Sequence, residues 1–197
     1  CMLYAINGGR DEISGHQVGP CFAPITGDYL TYEEFMPKFE QMMRWLAKTY
    51  VNALKIIHYM HDKYDYEAFE MALHDGDVER TRATGIAGLS IVTDSIAAMK
   101  SCKVRIVRDE NGLAVDYKIE DGTYVPFGNN DDATDQIAVD LTETFMEYLR
   151  QHETYRNAVP TQSLLTITSN VVYGRTSARL DTISLTVKPA PCWAIRR

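Results

Sequence analysis

The sequence of 197 residues lacks features that define several classes of protein. No segment approaches the roughly 18–20 uninterrupted apolar residues of a membrane-spanning helix, because charged side chains interrupt every candidate. Positive charge is scarce as well, and a formal net charge of −7 opposes attraction to nucleic acid or to anionic membrane surfaces. With 45% hydrophobic and 24% charged residues, the composition excludes disordered, collagen-like and coiled-coil proteins and is typical of a globular domain.

Cysteine is also sparse, and its spacing forms no motif. The cysteines lie far apart, without the C-x-x-C pairs or the spacing of a zinc site; they are Cys1, Cys21, Cys102 and Cys192. The first twenty residues have charged side chains and glycines where a signal peptide would be apolar. We therefore expect reduced thiols in a cytoplasmic protein. Because the sequence starts at Cys1 rather than at a methionine, we also expect it to be part of a longer protein.

The hydrophobic pattern predicts several helices. After a turn-rich loop, apolar residues recur at every third or fourth position from residue 35 to residue 57, which predicts a long amphipathic helix. Thr31 and Glu34 have the spacing of a capping box at its start. Additional apolar positions widen the stripe and indicate burial on more than one side, inside a large protein. Further helices are predicted over residues 66–73 and 84–99, and after a cap at Asp131 or Asp132.

β structure is predicted in two places. Alternating apolar residues on both sides of Asn111-Gly112 predict an exposed β-hairpin near residues 103–120, with one solvated face. The apolar run over residues 164–168 predicts a short buried strand. The mixture of helices and strands places the chain in the α/β class.

A group of potential metal ligands lies at the end of the long predicted helix. His58, His61 and Asp62 fall within one helical turn, and Asp65 follows closely. Two histidines three residues apart can share a helix face, but a zinc site needs further ligands that the sequence would have to bring from elsewhere. We favour a structural interpretation, in which the ring N–H groups bond to carbonyls or to Asp62.

Three other motifs fall short of a catalytic signature. The segment Gly-Ile-Ala-Gly-Leu-Ser at residues 85–90 resembles a phosphate loop without its Gly-Lys-Ser/Thr ending. Ser90 is not part of a nucleophile elbow, because Val92 stands where the second glycine is required. Two acidic clusters could supply general acid–base groups but are more simply solvated turns: Asp75, Asp77 and Glu79, and Asp109 with Glu110.

Longer phrases of the sequence resemble the pyruvate formate-lyase family. They run in the family's order, with nearly its spacing, from residue 2 to about residue 174. The phrases are Met-Leu-Tyr-Ala-Ile-Asn-Gly-Gly (2–9), Gln-Val-Gly-Pro (17–20), Ile-Ile-His-Tyr-Met-His-Asp-Lys-Tyr (56–64), Met-Ala-Leu-His-Asp (71–75), the segment 85–90, Pro-Phe-Gly-Asn-Asn-Asp (126–131), Pro-Thr-Gln-Ser (160–163) and Leu-Thr-Ile-Thr-Ser-Asn-Val-Val-Tyr-Gly (165–174).

The resemblance implies a glycyl radical enzyme, formate C-acetyltransferase, which converts pyruvate and coenzyme A to acetyl-CoA and formate in anaerobic glucose fermentation. It implies a cytoplasmic homodimer whose ten-stranded α/β barrel encloses a loop with the reactive cysteine. An activating enzyme with an iron–sulfur cluster and S-adenosylmethionine would abstract hydrogen from a glycine near the C-terminus. The radical would then pass to an adjacent pair of cysteines, which attack the pyruvate carbonyl.

The sequence departs from the family pattern at the catalytic positions. None of the four cysteines stands at the position of the adjacent pair, and the family's pyruvate-framing residues and radical glycine have no counterpart here. We therefore expect residues 1–174 to be a helix-rich slice of the barrel that is inactive alone. One site residue matches, His74 in Met-Ala-Leu-His-Asp, which the family associates with coenzyme A. The structural alternative is a histidine at a helix C-terminus, favoured by the helix dipole.

Residues 175–197 match no part of the family. They contain five basic side chains and one acidic one, whereas the preceding residues are acidic. We expect this basic tail to be frame-shifted and disordered, because such a peptide has no selected core pattern. Two alternatives stay open for the chain as a whole. It could belong to a sibling glycyl radical enzyme that acts on another 2-oxo acid or a diol, or it could be a non-catalytic assembly module.

Overall fold

The computed structural model describes residues 1–64, 66–73 and 78–164. Helices and short strands are interspersed along this part of the chain. In order they are α1 (Met2–Ile6), β1 (Tyr29–Leu30), α2 (Tyr32–Lys63), α3 (Tyr66–Met71), β2 (Thr81–Ile86), α4 (Leu89–Ser101), β3 (Cys102–Arg108), β4 (Ala114–Gly122), α5 (Asp132–Arg150) and β5 (Val159–Leu164), with a 3₁₀ turn at Tyr155–Asn157 before β5. In these ranges, no helix is long and apolar enough to cross a membrane.

The long predicted helix is confirmed as α2, a helix of 32 residues. Its apolar stripe is buried in the first two thirds of the helix, from Phe35 to Val51. Beyond that point the apolar side chains are exposed, Ile56 to 65% and Ile57 to 52%. Burial on more than one side therefore does not extend to the end of the helix within the described part of the chain.

The capping box predicted at the start of α2 is wrong. Thr31 occupies the N-cap position in an extended conformation, but its side chain makes no capping hydrogen bond. Two acidic side chains, Glu33 and Glu34, lie in the first turn instead. Their negative charges favour this helix end through the macrodipole, so the helix starts without the reciprocal side-chain bonds.

The helix predicted over residues 84–99 is also wrong in its first part. Thr81–Ile86 is strand β2, which pairs in parallel with β5 from Thr81 opposite Val159 to Ile86 opposite Leu164. The helical part, α4, begins only at Leu89. The β-branched residues Thr81, Thr84 and Ile86 favour the extended backbone in β2, and the pairing with β5 supplies the hydrogen bonds.

A three-stranded antiparallel sheet has the order β1–β3–β4. β3 and β4 pair around a turn in which the Asp109 carboxylate accepts hydrogen bonds from the backbone N–H groups of Asn111 and Leu113. One face of this pair is buried, with Val104 exposed to 1% and Tyr117 to 0%. One face of the predicted hairpin is therefore part of the core.

The core lies between this sheet and the helices α1, α2, α4 and α5. α1 lies before the turn-rich segment, which starts at its last residue, Ile6, and four of the five residues of α1 are buried. Asn7, directly after α1, makes two hydrogen bonds with the backbone of Ala114, at 3.0 and 2.8 Å. The amide side chain thus attaches the N-terminal segment to β4.

The helix predicted after Asp131 or Asp132 is confirmed as α5. Asp131 is the N-cap, and its carboxylate accepts from the backbone N–H of Thr134 at 2.9 Å. Leu164, the one residue of the strand predicted over 164–168 that the structure describes, is the last residue of β5, which begins at Val159. Residues 165–168 and the whole of 175–197 lie outside the described residues.

Candidate functional site

The parallel pair β2–β5 has one face covered by helices, whereas the other face is uncovered within the part of the chain that the structure describes. On the uncovered face, Thr81, Ala83, Thr161 and Ser163 are exposed. The register places Ala83 opposite Thr161, so these small and hydroxyl-bearing side chains form a continuous strip along both strands. This strip can line a cavity without filling it, since none of the side chains is large.

The covered face is fixed by hydrogen bonds. The Thr84 hydroxyl, which is fully buried, donates to the backbone carbonyl of Thr161 at 2.7 Å. The backbone N–H of Gly85 donates to the hydroxyl of Tyr50 on α2 at 3.1 Å. These bonds join the two strands to each other and join β2 to the long helix, so the strip on the opposite face has a rigid support.

Two polar side chains on the covered face lack a partner among the described residues. All three guanidinium nitrogens of Arg82 and the amide nitrogen of Gln162 are buried without a hydrogen bond. Burial lowers the pKa of Arg82 from its ordinary value, while the Tyr50 phenol acts in the opposite direction. The guanidinium stays protonated because its ordinary pKa lies far above neutral pH.

The segment at residues 85–90 joins the end of β2 to the start of α4. Gly88 is the N-cap of α4 and has φ of 80°, in the left-handed region. A Cβ at this position would meet nothing within 4 Å, so the backbone conformation, rather than lack of space, requires glycine there. The segment is thus a strand-to-helix turn.

His74, the residue associated with coenzyme A by resemblance, lies outside the described residues, as do Asp75 and Asp77. The described residues on either side of it are Leu73, after the end of α3, and Val78, before the start of β2. Leu73 is exposed to 82%. The role of His74 stays a prediction.

The possible metal ligands at the end of α2 have other partners. Asp62 accepts a hydrogen bond from the Tyr155 hydroxyl at 2.5 Å and pairs with the Arg156 guanidinium at 2.8 Å. The His58 ring packs edge-on against Tyr155, with centroids 5.0 Å apart. Over residues 1–64, 66–73 and 78–164, no three histidine, cysteine or acidic side chains cluster closely enough to hold a metal.

A titratable group that the sequence analysis did not identify is Asp94 in α4. Its side chain is buried, and its carboxylate accepts from the backbone N–H of Phe127 at 2.7 Å. Burial raises the pKa of Asp94 to about 6, and the Phe127 hydrogen bond opposes that rise. The only signal in the sequence is an acidic residue inside the mostly apolar run from Ile91 to Met99.

Tyr124 lies close to Asp94. Its hydroxyl is buried and makes no hydrogen bond with the described residues. Burial, with a contribution from the Asp94 charge, raises the pKa of Tyr124 above its ordinary value. The phenol and the carboxyl group therefore both favour their neutral forms in this part of the core.

The cysteines show no catalytic arrangement in the described part of the chain. Cys1 and Cys21 are exposed free thiols, and Cys102 is a partly buried one. Burial raises the pKa of Cys102, which disfavours the reactive thiolate. Cys192 lies outside the described residues.

A cleft of about 480 Å³ separates the N-terminal loop from the β3–β4 turn. Arg108 lines it, and its guanidinium donates to three backbone carbonyls, those of Ile25, Gly27 and Gly112. These bonds hold the loop against the sheet. Three of the donors of Arg108 are thereby used in structure rather than left for an anionic ligand.

The fold matches segments of solved structures from two organisms. One, described as "1,2-propanediol Dehydration in Roseburia inulinivorans; Structural Basis for Substrate and Enantiomer Selectivity", has a TM-score of 0.68 and 17% identity over 89% of this chain and 26% of its own. The other is a glycyl radical enzyme from Archaeoglobus fulgidus, with a TM-score of 0.64 and 18% identity over 89% of this chain and 25% of its own. The fold is therefore one found in glycyl radical enzymes.

Sequence comparison is more specific. The family model described as "Pyruvate formate lyase-like" matches residues 1–174. A relative, formate acetyltransferase 1 of Escherichia coli (strain K12), is 61% identical over 174 residues, which cover 88% of this chain. The chain belongs to the pyruvate formate lyase-like family. It spans 23% of the length of that relative.

Proposed function

We propose that this chain is part of a formate C-acetyltransferase, which converts pyruvate and coenzyme A to acetyl-CoA and formate by radical chemistry. The observation that carries the proposal is the 61% identity to a formate acetyltransferase over the whole family-matched region. The enzyme would act in the cytoplasm, in anaerobic glucose fermentation.

The chain's place in that enzyme would be a helix-rich slice of a ten-stranded α/β barrel. β2 and β5 are parallel neighbours with helices on one face, as in the wall of such a barrel. The uncovered strip that contains Ala83 and Thr161 would then face the barrel interior, where substrates and the loop with the reactive cysteine meet. Small side chains suit this place because they leave room for the loop and the substrates.

The radical chemistry itself would be supplied by other parts of the enzyme. Cys1, Cys21 and Cys102 are separate free thiols, so the described residues do not fit the adjacent pair that relays the radical. An activating enzyme with an iron–sulfur cluster and S-adenosylmethionine would generate the glycyl radical. The chain would contribute part of the barrel wall and would orient the substrates. The whole enzyme would be a homodimer.

The chain's own contact with substrate would be His74. In the sequence, this residue stands between Met71, the last residue of α3, and Thr81, the first residue of β2. The support for its role is the match of Met-Ala-Leu-His-Asp to the family motif. His74 would hold coenzyme A, so that the thiol reaches the acetyl group on the cysteine.

The proposal is tested on the full-length enzyme that contains this segment. After anaerobic activation, it is incubated with pyruvate and coenzyme A, with a longer 2-oxo acid and coenzyme A, and with propane-1,2-diol. Of the three substrates, we expect pyruvate to be converted fastest, with acetyl-CoA and formate as the products. Preference for the longer 2-oxo acid, or dehydration of the diol, would assign the chain to a sibling enzyme instead. Absence of turnover with all three substrates, despite a glycyl radical signal, would contradict the proposed reaction.

A further inference from the structure

The turn that leads into β5 has an unfavourable backbone at two consecutive residues. Arg156 has φ of 51° and ψ of 32°, and Asn157 has φ of 55°. For residues other than glycine, this left-handed conformation brings Cβ close to a carbonyl oxygen, with asparagine the more tolerant of the two types. Contacts from outside the turn must therefore hold it in place.

Asp62, in the last turn of α2, supplies such contacts. One carboxylate oxygen, Oδ2, accepts from the Tyr155 hydroxyl at 2.5 Å and pairs with Nη2 of Arg156 at 2.8 Å. The Asp62 side chain is 9% exposed and the Arg156 side chain 38%, so water screens the ion pair only in part. Hydrogen bonds to an ionised group are stronger than neutral ones, and two of them converge on this oxygen.

Aromatic contacts fix the same turn from the side. The rings of His58 and Tyr59 pack edge-on against the Tyr155 ring, with centroids 5.0 and 5.9 Å apart. The Tyr155 side chain is thus packed against α2 by its ring and hydrogen-bonded to α2 by its hydroxyl. The end of α2 therefore holds two consecutive residues of the turn, Tyr155 and Arg156.

The turn is directly connected to the register of β5. Ala158 follows it and is exposed to only 2%. The next residue, Val159, donates its backbone N–H to the carbonyl of Arg80 at 2.7 Å, which starts the pairing of β5 with β2. A change in the turn would shift this first bond, and with it every pair along the two strands.

We propose that Asp62 is a positioning residue that holds the left-handed turn at Tyr155–Asn157 and thereby fixes β5 against β2. It acts through Tyr155 and Arg156 on the strip of small side chains on the uncovered face of the two strands. The effect on catalysis rests on the proposed function of that strip, whereas the effect on β5 itself does not.

The first test measures hydrogen exchange in the full-length enzyme with Asp62→Ala. We expect the backbone amides of β5 that face β2, those of Val159, Thr161 and Ser163, to exchange at least about tenfold faster, because charged hydrogen bonds that hold the turn are lost. Asp62→Asn keeps the shape and one acceptor but not the charge, so an intermediate increase is expected. If the Asp62→Ala variant does not fold, hydrogen exchange of β5 is measured in the Asp62→Asn variant instead.

The second test adds Asn157→Gly to the Asp62→Ala variant. Glycine adopts the left-handed conformation without the Cβ clash, so the turn needs less external support. We expect the double variant to regain much of the protection of β5. Loss of packing alone at residue 62 would not be repaired by a change of backbone freedom at residue 157. Unchanged exchange in Asp62→Ala and Asp62→Asn, or no recovery in the double variant, would overturn the proposal.

A matched control removes an ion pair that does not touch the turn. Arg105 and Glu120 pair at 3.1 Å across β3 and β4, and the Arg105 side chain is 54% exposed. Arg105→Ala should leave the exchange of β5 unchanged. In the activated enzyme, kcat should fall with Asp62→Ala and recover with the double variant. If the wild-type enzyme lacks formate-lyase activity, the proposed function fails, while the exchange measurements still decide the role of Asp62.

Discussion

The carboxylate of Asp94 in α4 accepts a 2.7 Å hydrogen bond from the backbone N–H of Phe127, in the loop that joins β4 to α5. The bond connects a helix to a loop 33 residues later in the chain. The loop contains the family phrase Pro-Phe-Gly-Asn-Asn-Asp and ends at Asp131, the cap of α5. A single buried acid therefore helps to set how α4 and α5 approach each other.

Asp94 should make stability depend on pH. Its pKa is about 6 in the folded protein against an ordinary 3.8, so folding favours the protonated form. The stabilisation is therefore complete below about pH 4 and is lost as pH rises to about 6, amounting to up to about 3 kcal/mol at 1.36 kcal/mol per pKa unit. Asp94→Asn keeps an acceptor for Phe127 and removes the cost of a buried charge. We expect it to raise the Tm at pH 7.5 more than at pH 4.5.

Asp131→Asn is the matched control for that measurement. Asparagine is as good an N-cap as aspartate, so this variant should leave the difference in Tm between pH 4.5 and pH 7.5 nearly unchanged. A stability gain at pH 7.5 in Asp131→Asn but not in Asp94→Asn would show that burial of Asp94 is not the cause.

The two helix caps should respond differently to alanine. Asp131→Ala removes the bond from the Thr134 N–H and should cost about 1 kcal/mol in the free energy of unfolding. Thr31→Ala should cost much less, because the Thr31 side chain makes no capping bond. Urea denaturation of both variants measures the difference. An equal or larger loss in Thr31→Ala would mean that the threonine caps α2 after all.

His74 should affect only the half-reaction that uses coenzyme A. In the full-length enzyme, His74→Ala should raise the KM for coenzyme A and leave acetylation of the cysteine by pyruvate almost unchanged. Exchange of labelled formate into pyruvate, without coenzyme A, measures the second half-reaction. Equal damage to both half-reactions, or an unchanged KM, would assign His74 a structural role.

The chain by itself should have no formate-lyase activity, even with the activating enzyme under strict anaerobiosis. Catalysis requires groups that bind the transition state, and the thiol relay and radical store that the proposed reaction needs match no residue of this chain. Labelled formate exchange and electron paramagnetic resonance provide the measurements, with a protein-free control. A signal in either would show that the reactive groups lie within these 197 residues.

We expect the basic tail, residues 175–197, to result from a frame change in the coding DNA. The family match ends at residue 174, where the charge balance also changes. If residues 175–197 result from a frame change, one of the other two reading frames should encode a continuation that resembles the family, with a phrase such as Thr-Pro-Asp-Gly-Arg. If neither frame does, the tail has another origin.

The features that the sequence predicted correctly are those with strong local signals. α2 was predicted from the periodicity of its apolar residues, and α5 from an acidic cap followed by an apolar stripe. Family membership followed from ordered phrases along residues 2–174, and it was confirmed by the family match. Each of these predictions depends on residues that are close in the sequence or on exact matches of sequence motifs, so no knowledge of distant contacts was needed.

The features that the sequence could not predict depend on distant contacts. Small residues at 84–88 suit helix packing, but β2 is a strand because it pairs with β5, which comes about 77 residues later. The capping box at Thr31 had the right spacing, yet its side chain makes no such bond. Asp94 looks like any acidic residue until α4 packs against α5 and the loop at Phe127, which raises its pKa.

The sequence alone thus determined the family, the α/β class and the long helices, because hydrophobic periodicity and sequence motifs are local properties of the chain. Only the tertiary structure decided that residues 81–86 form a strand, that Asp94 is a buried acid, and that Asp62 supports the left-handed turn before β5. The physical reason is the same in all three cases. Strand pairing, burial of charge and side-chain support of a strained turn depend on groups that meet only after the chain has folded.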